Sequence, residues 1–137
     1  MRVLLLSPPQ KNVYGRFGPP YAPLGLLGIG ACLKAEGHDV KFVDAALTPR
    51  SVGPALRSFN PRMVCVSAVT PTFPAALKMA AFIRSESAAS IVFGGPHVSM
   101  LPDEPLQTGH VDFVVVGEGE ASVTELARAL DGGDPSK

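Results

Sequence analysis

The chain predicts a doubly wound α/β fold, a five-stranded parallel sheet with helices on both faces. Three observations carry that prediction. Five short apolar runs alternate with segments of helical period along the 137 residues. Three of those runs are nearly continuous in Val, Leu, Ile, Phe or Cys, which suits strands buried on both faces of a parallel sheet. The breaks between them are rich in backbone specialists, 14 Gly and 14 Pro, where average usage gives roughly ten and seven.

The first strand is Val3–Leu6 in RVLLLS. A helix follows from Pro23 to Glu36, opening on Pro and closing at Gly37, the usual start and stop signals. The second strand is Val40–Val43; Lys41 and Asp44 mark it as the edge. Around Ser51–Phe59, Val52, Leu56 and Phe59 share a helical face. The third strand is Met63–Val66, running into Ser67. Pro74–Ser87 is the next helix, with Leu77, Ala80, Ala81 and Arg84 in helical pattern. The fourth strand is Ile91–Phe93, ending in Gly94-Gly95. Pro102–Gln107 adds a short helical turn. The fifth strand is Phe113–Val116, and in Glu118–Leu130 the residues Val123, Leu126, Ala127 and Leu130 fall at i, i+3, i+4 and i+7.

Strand–helix alternation with right-handed crossovers puts helices on both faces. The flavodoxin-like order 2-1-3-4-5 fits an edge at the second strand. Ligands in such sheets bind outside the carboxyl ends of the strands, beside the switch point. Four loops lie there: Ser7–Ala22, Ser67–Phe73, Gly94–Glu104 and Gly117–Glu120.

The first loop holds four prolines, two glycines and the aromatics Tyr14, Phe17 and Tyr21. Its length and stiffness read as a lid or pocket wall, against the alternative of a surface loop. In the second loop, Thr72 reads as a helix N-cap before it reads as a ligand contact. Ser67 and Thr70 have no evident structural duty and remain candidates. Gly94-Gly95 clears side chains from a strand end where something large lies close to the backbone; a turn needing positive φ is the alternative. Glu118 and Glu120 suit a helix dipole rather than a catalytic carboxylate pair, and they argue against an anionic ligand there. In the first helix, Gly25, Gly28, Ala31 and Cys32 share a small-residue face, which the sheet or a ligand must approach closely.

Several function classes are excluded. Balanced charge, 12 Lys+Arg against 12 Asp+Glu, leaves no footprint for nucleic acid or anionic lipid. No apolar stretch reaches the roughly 18 residues of a membrane span, and MRVLLLSPP reads as a buried strand rather than a signal peptide. Cys32 and Cys65 read as cytosolic thiols rather than a disulfide. A dinucleotide fingerprint would follow the first strand, where SPPQKN stands instead; Gly28-Ile29-Gly30-Ala31-Cys32-Leu33 lies inside a helix and ends in Leu. There is no phosphate-binding G-x-x-x-x-G-K-[ST] motif. A phosphoacceptor receiver would need acidic residues where Ser7 and Ser67 stand. No spacing suggests zinc, no nucleophile–base pair can be named, and His38 and His110 read as turn residues.

Taken together, PPYAPLGLLGIGACLKAEGHDVKFVDA, VCVSAVTPTF, IVFGGPHVSMLPDEPL and VDFVVVGEGEAS resemble a known family. It is the cobalamin-binding domain that precedes the radical S-adenosylmethionine domain in cobalamin-dependent radical enzymes. The resemblance runs from about Arg2 to Leu130. It rests on the ordered set Pro-Leu-Gly, Gly-His-Asp, Gly-Gly-Pro-His and Gly-Glu-Gly-Glu.

The resemblance implies a cobalamin module over residues 1–131, with 132–137 opening a linker to a downstream domain. That partner would carry S-adenosylmethionine and a four-iron four-sulfur cluster for methyl transfer or related radical chemistry. The module alone would have no turnover and would be cytoplasmic. The small residues Gly25 and Gly28, with Gly94 and Gly95, would admit the cofactor's nucleotide tail. Ser67, Val69, Thr70 and Phe73 would floor the corrin. Pro8, Pro9, Tyr14, Leu24, Thr72, Pro96, His97, Gly117, Glu118 and Gly119 complete the implied cofactor-binding set. Related domains carry D-x-H-x-x-G after the first strand, whose His ligates cobalt. Ser7–Ala22 has neither His nor Asp, so binding is expected to be base-off and His-off, with His97 packing or hydrogen bonding rather than ligating. The alternative is a stand-alone flavodoxin-like regulatory or interaction domain without cobalamin.

Overall fold

A computed structural model describes residues 1–10 and 22–132. The sheet contains β1 (Arg2–Ser7), β2 (Asp39–Asp44), β3 (Met63–Ser67), β4 (Ser90–Gly94) and β5 (Phe113–Val114). All pairs are parallel, in the order β2-β1-β3-β4-β5. This is the flavodoxin-like arrangement, with the expected edge at β2. The helices are α1 (Leu24–Ala35), α2 (Val52–Phe59), α3 (Phe73–Glu86), α4 (Pro96–Met100), α5 (Asp103–Leu106) and α6 (Glu120–Leu130). Among the described residues no helix is long and apolar enough to cross a membrane.

The period of two along each strand divides the core into two layers. Leu4, Leu6, Val64, Val66, Ile91 and Phe93 pack against α2 and α3. Val3, Leu5, Met63, Cys65, Val92 and Val115 pack against α1 and α6. Ser67 and Gly94 are register partners at the carboxyl ends of β3 and β4. Continuing the alternation from Cys65 and Val92, both fall on the α1/α6 side.

Helix α1 ends as its sequence predicts. Gly37 takes φ +84°, its N–H bonds Lys34 O at 3.0 Å, and His38 N–H bonds Leu33 O at 3.0 Å. These two bonds form a Schellman stop. Inside the helix, a Cβ on Gly30 would stand 3.0 Å from Leu5 Cδ1, so a side chain there would press on the sheet.

Three expectations are corrected. The fifth strand is two residues long rather than Phe113–Val116. Its last bond is Val115 N–H to Phe93 O, 2.8 Å; β4 then turns away at Gly95, φ +100°, and Val116 has no strand to pair with. The buried face of α3 is Phe73, Ala76, Met79, Ala80 and Ile83, rotated from the expected face. Arg84 instead reaches sideways to Asp112 and the His110 carbonyl. The Gly94–Glu104 segment contains α4, started by Pro96 in the first turn.

Candidate functional site

A cleft of about 310 Å³ opens between the sheet and the α1/α6 layer, beside the carboxyl ends of β3 and β4. Gly25, Leu26 and Ile29 of α1 form one wall, Gly119 and Val123 a second. Cys65, Ser67, Val92, Gly94 and Val115 form the sheet side, closed by Gly95 and Pro96. The lining is mostly apolar, and its polar side chain at the mouth is Ser67. That hydroxyl makes no hydrogen bond to another described residue.

The glycines have separable reasons. A Cβ on Gly25 would meet nothing within 4 Å, so its wall is open space. A Cβ on Gly94 would sit 3.7 Å from Val115 O, an ordinary contact, so the fold does not demand glycine there. Gly95 is demanded by the fold, because a Cβ would lie 2.7 Å from Ala68 O and 2.8 Å from Ser67 Oγ, at a φ of +100°. The positive-φ reading of the Gly-Gly pair therefore applies to Gly95, and the fold leaves Gly94 without such a demand. Gly117 takes φ +77°, and its N–H donates to Ser99 Oγ at 2.9 Å.

The structure brings Gly25, Ser67, Gly94, Gly95, Pro96 and Gly119 to the cleft. Leu24, at 75% exposure, Val69 and Thr70 lie on the same edge, as do the loop residues Gly117 and Glu118. Pro8 is buried directly after the carboxyl end of β1 and does not line the cleft. The rest fall elsewhere. Gly28 faces α6, where a Cβ would meet Glu120 Oε1 at 3.1 Å. Pro9 lines a wider groove of about 660 Å³ on the opposite face, between α2 and α3. That groove is an open trough of helix side chains away from β3 and β4, so the site is assigned to the smaller cleft. Tyr14, with the rest of the proposed lid, lies outside the described residues.

Thr72 stands at the N-cap position of α3, but its side chain makes no cap bond. Its hydroxyl accepts from Val69 N–H and donates to Val69 O, both at 3.1 Å, closing the preceding turn on itself. Phe73 is buried in the α2/α3 core and stacks on His97, 3.9 Å between ring centroids. Both His97 nitrogens are engaged, Nδ1 with Thr70 Oγ1 at 3.1 Å and Nε2 with Glu104 Oε2 at 3.0 Å. This hydroxyl–imidazole–carboxylate chain is a grouping sequence reading missed. Glu120, but not Glu118, lies in the first turn of α6. Cys32 and Cys65 are free thiols, and burial pushes the Cys65 thiol up to about 12. No cluster of three or more His, Cys, Asp or Glu fit for a metal ion occurs among the described residues.

Also missed were the apolar walls Leu26, Ile29, Val115 and Val123, and the exposed apolar residues Met100 at the end of α4, Leu101 just after it and Val116 just after β5. An apolar residue that lines a cleft has the same pattern in sequence as one in the core.

A sheet of this order with an apolar, backbone-walled cleft at its strand ends defines a flavodoxin-like ligand-binding domain. A family model described as the B12 binding domain matches residues 11–127, and the chain belongs to that family. It is 34% identical to an uncharacterized methyltransferase of Pyrococcus horikoshii, over 97% of this chain and 30% of the relative. It is also 34% identical to the anaerobic magnesium-protoporphyrin IX monomethyl ester cyclase of a Synechocystis strain, over 96% of this chain and 28% of that protein. Among solved structures, it matches the radical S-adenosylmethionine methyltransferase TsrM from Kitasatospora setae, bound to cobalamin and a four-iron four-sulfur cluster. The TM-score is 0.80 at 26% identity, covering 97% of this chain and 25% of TsrM. The cobalamin-dependent S-adenosylmethionine radical enzyme OxsB, with aqua-cobalamin bound, shares the fold at TM-score 0.79 and 18% identity, over 96% of this chain and 19% of OxsB. The chain spans less than a third of the curated relatives it matches.

Proposed function

We propose that residues 1–131 hold cobalamin base-off and His-off, and present it to a downstream radical S-adenosylmethionine domain. The carrying observation is the cleft: about 310 Å³, apolar, at the strand ends, with glycine at facing positions. Cobalamin is wide and almost uncharged, and its displaced nucleotide tail is a flat heteroaromatic group with a polar sugar. Gly25 and Gly94 would flank that tail, Leu26, Ile29 and Val115 would bury its faces, and Ser67 would supply a hydrogen bond at the mouth. Bound cobalamin supplies the cobalt-centred methyl-transfer or radical chemistry; the protein supplies binding and orientation.

The histidines support the His-off state. His38 and His110 precede β2 and β5, at the opposite edge of the sheet. His97, the imidazole at the binding edge, has both nitrogens committed. The S-adenosylmethionine and cluster sites belong to the downstream domain in this reading. Free Cys32 and Cys65 are in keeping with a cytoplasmic setting.

The test is to add hydroxocobalamin, remove the excess by gel filtration and record the visible spectrum. Retained cobalamin with a base-off spectrum is expected. Failure to retain it would sink the proposal, and a spectrum of histidine-ligated cobalt would sink its His-off part.

A further inference from the structure

His97 is 6% exposed and joins three segments of the binding edge. Its backbone N–H donates to Ala68 O at 3.2 Å, in the loop after β3. Its ring reaches Thr70 in that loop and Glu104 in α5. A carboxylate only accepts, so the hydrogen of a neutral ring sits on Nε2. Nδ1 then carries a lone pair and accepts from the Thr70 hydroxyl. That bond uses Thr70's single hydroxyl hydrogen, so toward solvent Thr70 Oγ1 offers lone pairs only.

We infer that His97 is a positioning residue for the cofactor: through the Glu104–His97–Thr70 chain it makes the exposed Thr70 hydroxyl a fixed hydrogen-bond acceptor on the corrin floor. The inference rests on the cobalamin reading above. Its chemical sense is that the corrin rim carries primary amides, whose N–H groups need acceptors. The same chain anchors the turn Val69–Thr72, which is already closed by the Thr72 hydroxyl. A hydroxyl free to rotate would also present its hydrogen toward the ligand and would have to be ordered on binding.

Two measurements test this. Long-range proton–nitrogen NMR of the cobalamin-free chain reads the His97 tautomer directly. Equilibrium dialysis against hydroxocobalamin reads affinity in His97→Phe, Glu104→Ala, Thr70→Val and Thr70→Ser, with circular dichroism as the folding control. His97→Phe keeps a ring on Phe73 and removes both polar contacts. The expected result is a proton on Nε2 and none on Nδ1, with Nδ1–H appearing in Glu104→Ala. His97→Phe and Thr70→Val should each bind about tenfold more weakly, the usual scale of one lost hydrogen bond, and Thr70→Ser should bind as the parent does. Should His97→Phe fail to fold, the Thr70 pair and Glu104→Ala decide the matter at exposed positions. A proton on Nδ1 in the parent, or folded His97→Phe and Thr70→Val binding within about twofold of it, would overturn the inference while leaving the proposed function intact. A parent chain that retains no cobalamin would remove both.

Discussion

Gly94 offers the cleanest perturbation of the cleft. Its φ lies outside the left-handed region, and an added Cβ would meet Val115 O at 3.7 Å and Val115 Cβ at 3.9 Å. Gly94→Ala therefore fits the empty protein. It should leave stability unchanged or raise it by about 0.4–1 kcal/mol, because alanine restricts the unfolded chain. In the bound state the same methyl occupies part of a cleft of about 310 Å³. Forcing one extra methyl into a filled site costs roughly 1–3 kcal/mol, about 5- to 150-fold in Kd. Gly94→Val should weaken binding further. The assay is equilibrium dialysis with hydroxocobalamin, paired with thermal unfolding by circular dichroism. Gly28→Ala is the control: its methyl would meet only the Glu120 side chain, at 3.1 Å, and should leave affinity unchanged. Gly94→Ala binding with parental affinity, or Gly28→Ala losing as much as Gly94→Ala, would refute the placement of the tail.

Three further outcomes follow from the same geometry. Gly95→Ala should lower Tm sharply, by an amount equivalent to about 2 kcal/mol or more, because positive φ and close backbone contact act together; a variant as stable as the parent would contradict this. Cys65 should resist a thiol reagent at pH 8 while Cys32 reacts. Because its folded pKa, about 12, lies above the unfolded value, its contribution to stability falls as pH rises past the ordinary thiol range near 8.5, and Cys65→Ala should flatten the alkaline limb of Tm against pH. The Asp131 carboxyl is held below the usual carboxylate range, first by a hydrogen bond from the N-terminal ammonium and also by attraction to that group, Arg62 and His38. Its stabilisation is present above about pH 4 and lost as pH falls through the folded value, so Asp131→Asn should reduce the acid slope of Tm.

How much could be read in advance depended on whether the cause was local. The strands were legible because burial on both faces of a parallel sheet leaves continuous apolar runs. The stop of α1 was legible because Gly37 is required by its own backbone angle. Gly28 shows the contrary case: its small size is explained by Glu120, a side chain on a helix far along the chain, and periodicity carries no trace of that. Gly94 and Gly95 are adjacent and chemically identical, yet one is needed by the loop after β3 and the other is spare to the fold. Only coordinates separate them, since what differs is the atom a Cβ would strike.

The same distinction governs the binding edge as a whole. His97 could be marked as an imidazole beside a ligand edge, but its hydrogen bonding depends on Thr70, 27 residues earlier, and Glu104, seven later. Both ring nitrogens have hydrogen-bond partners, and for a neutral ring the tautomer follows from a carboxylate's inability to donate. An imidazole expected to pack or hydrogen bond thus becomes, in the inference above, one that orients a neighbour. The spare glycine at 94 and the committed histidine at 97 support the same view of the edge. In that reading its space is kept open at Gly94, which the fold does not need to be glycine, and the Thr70 hydroxyl is preset by His97.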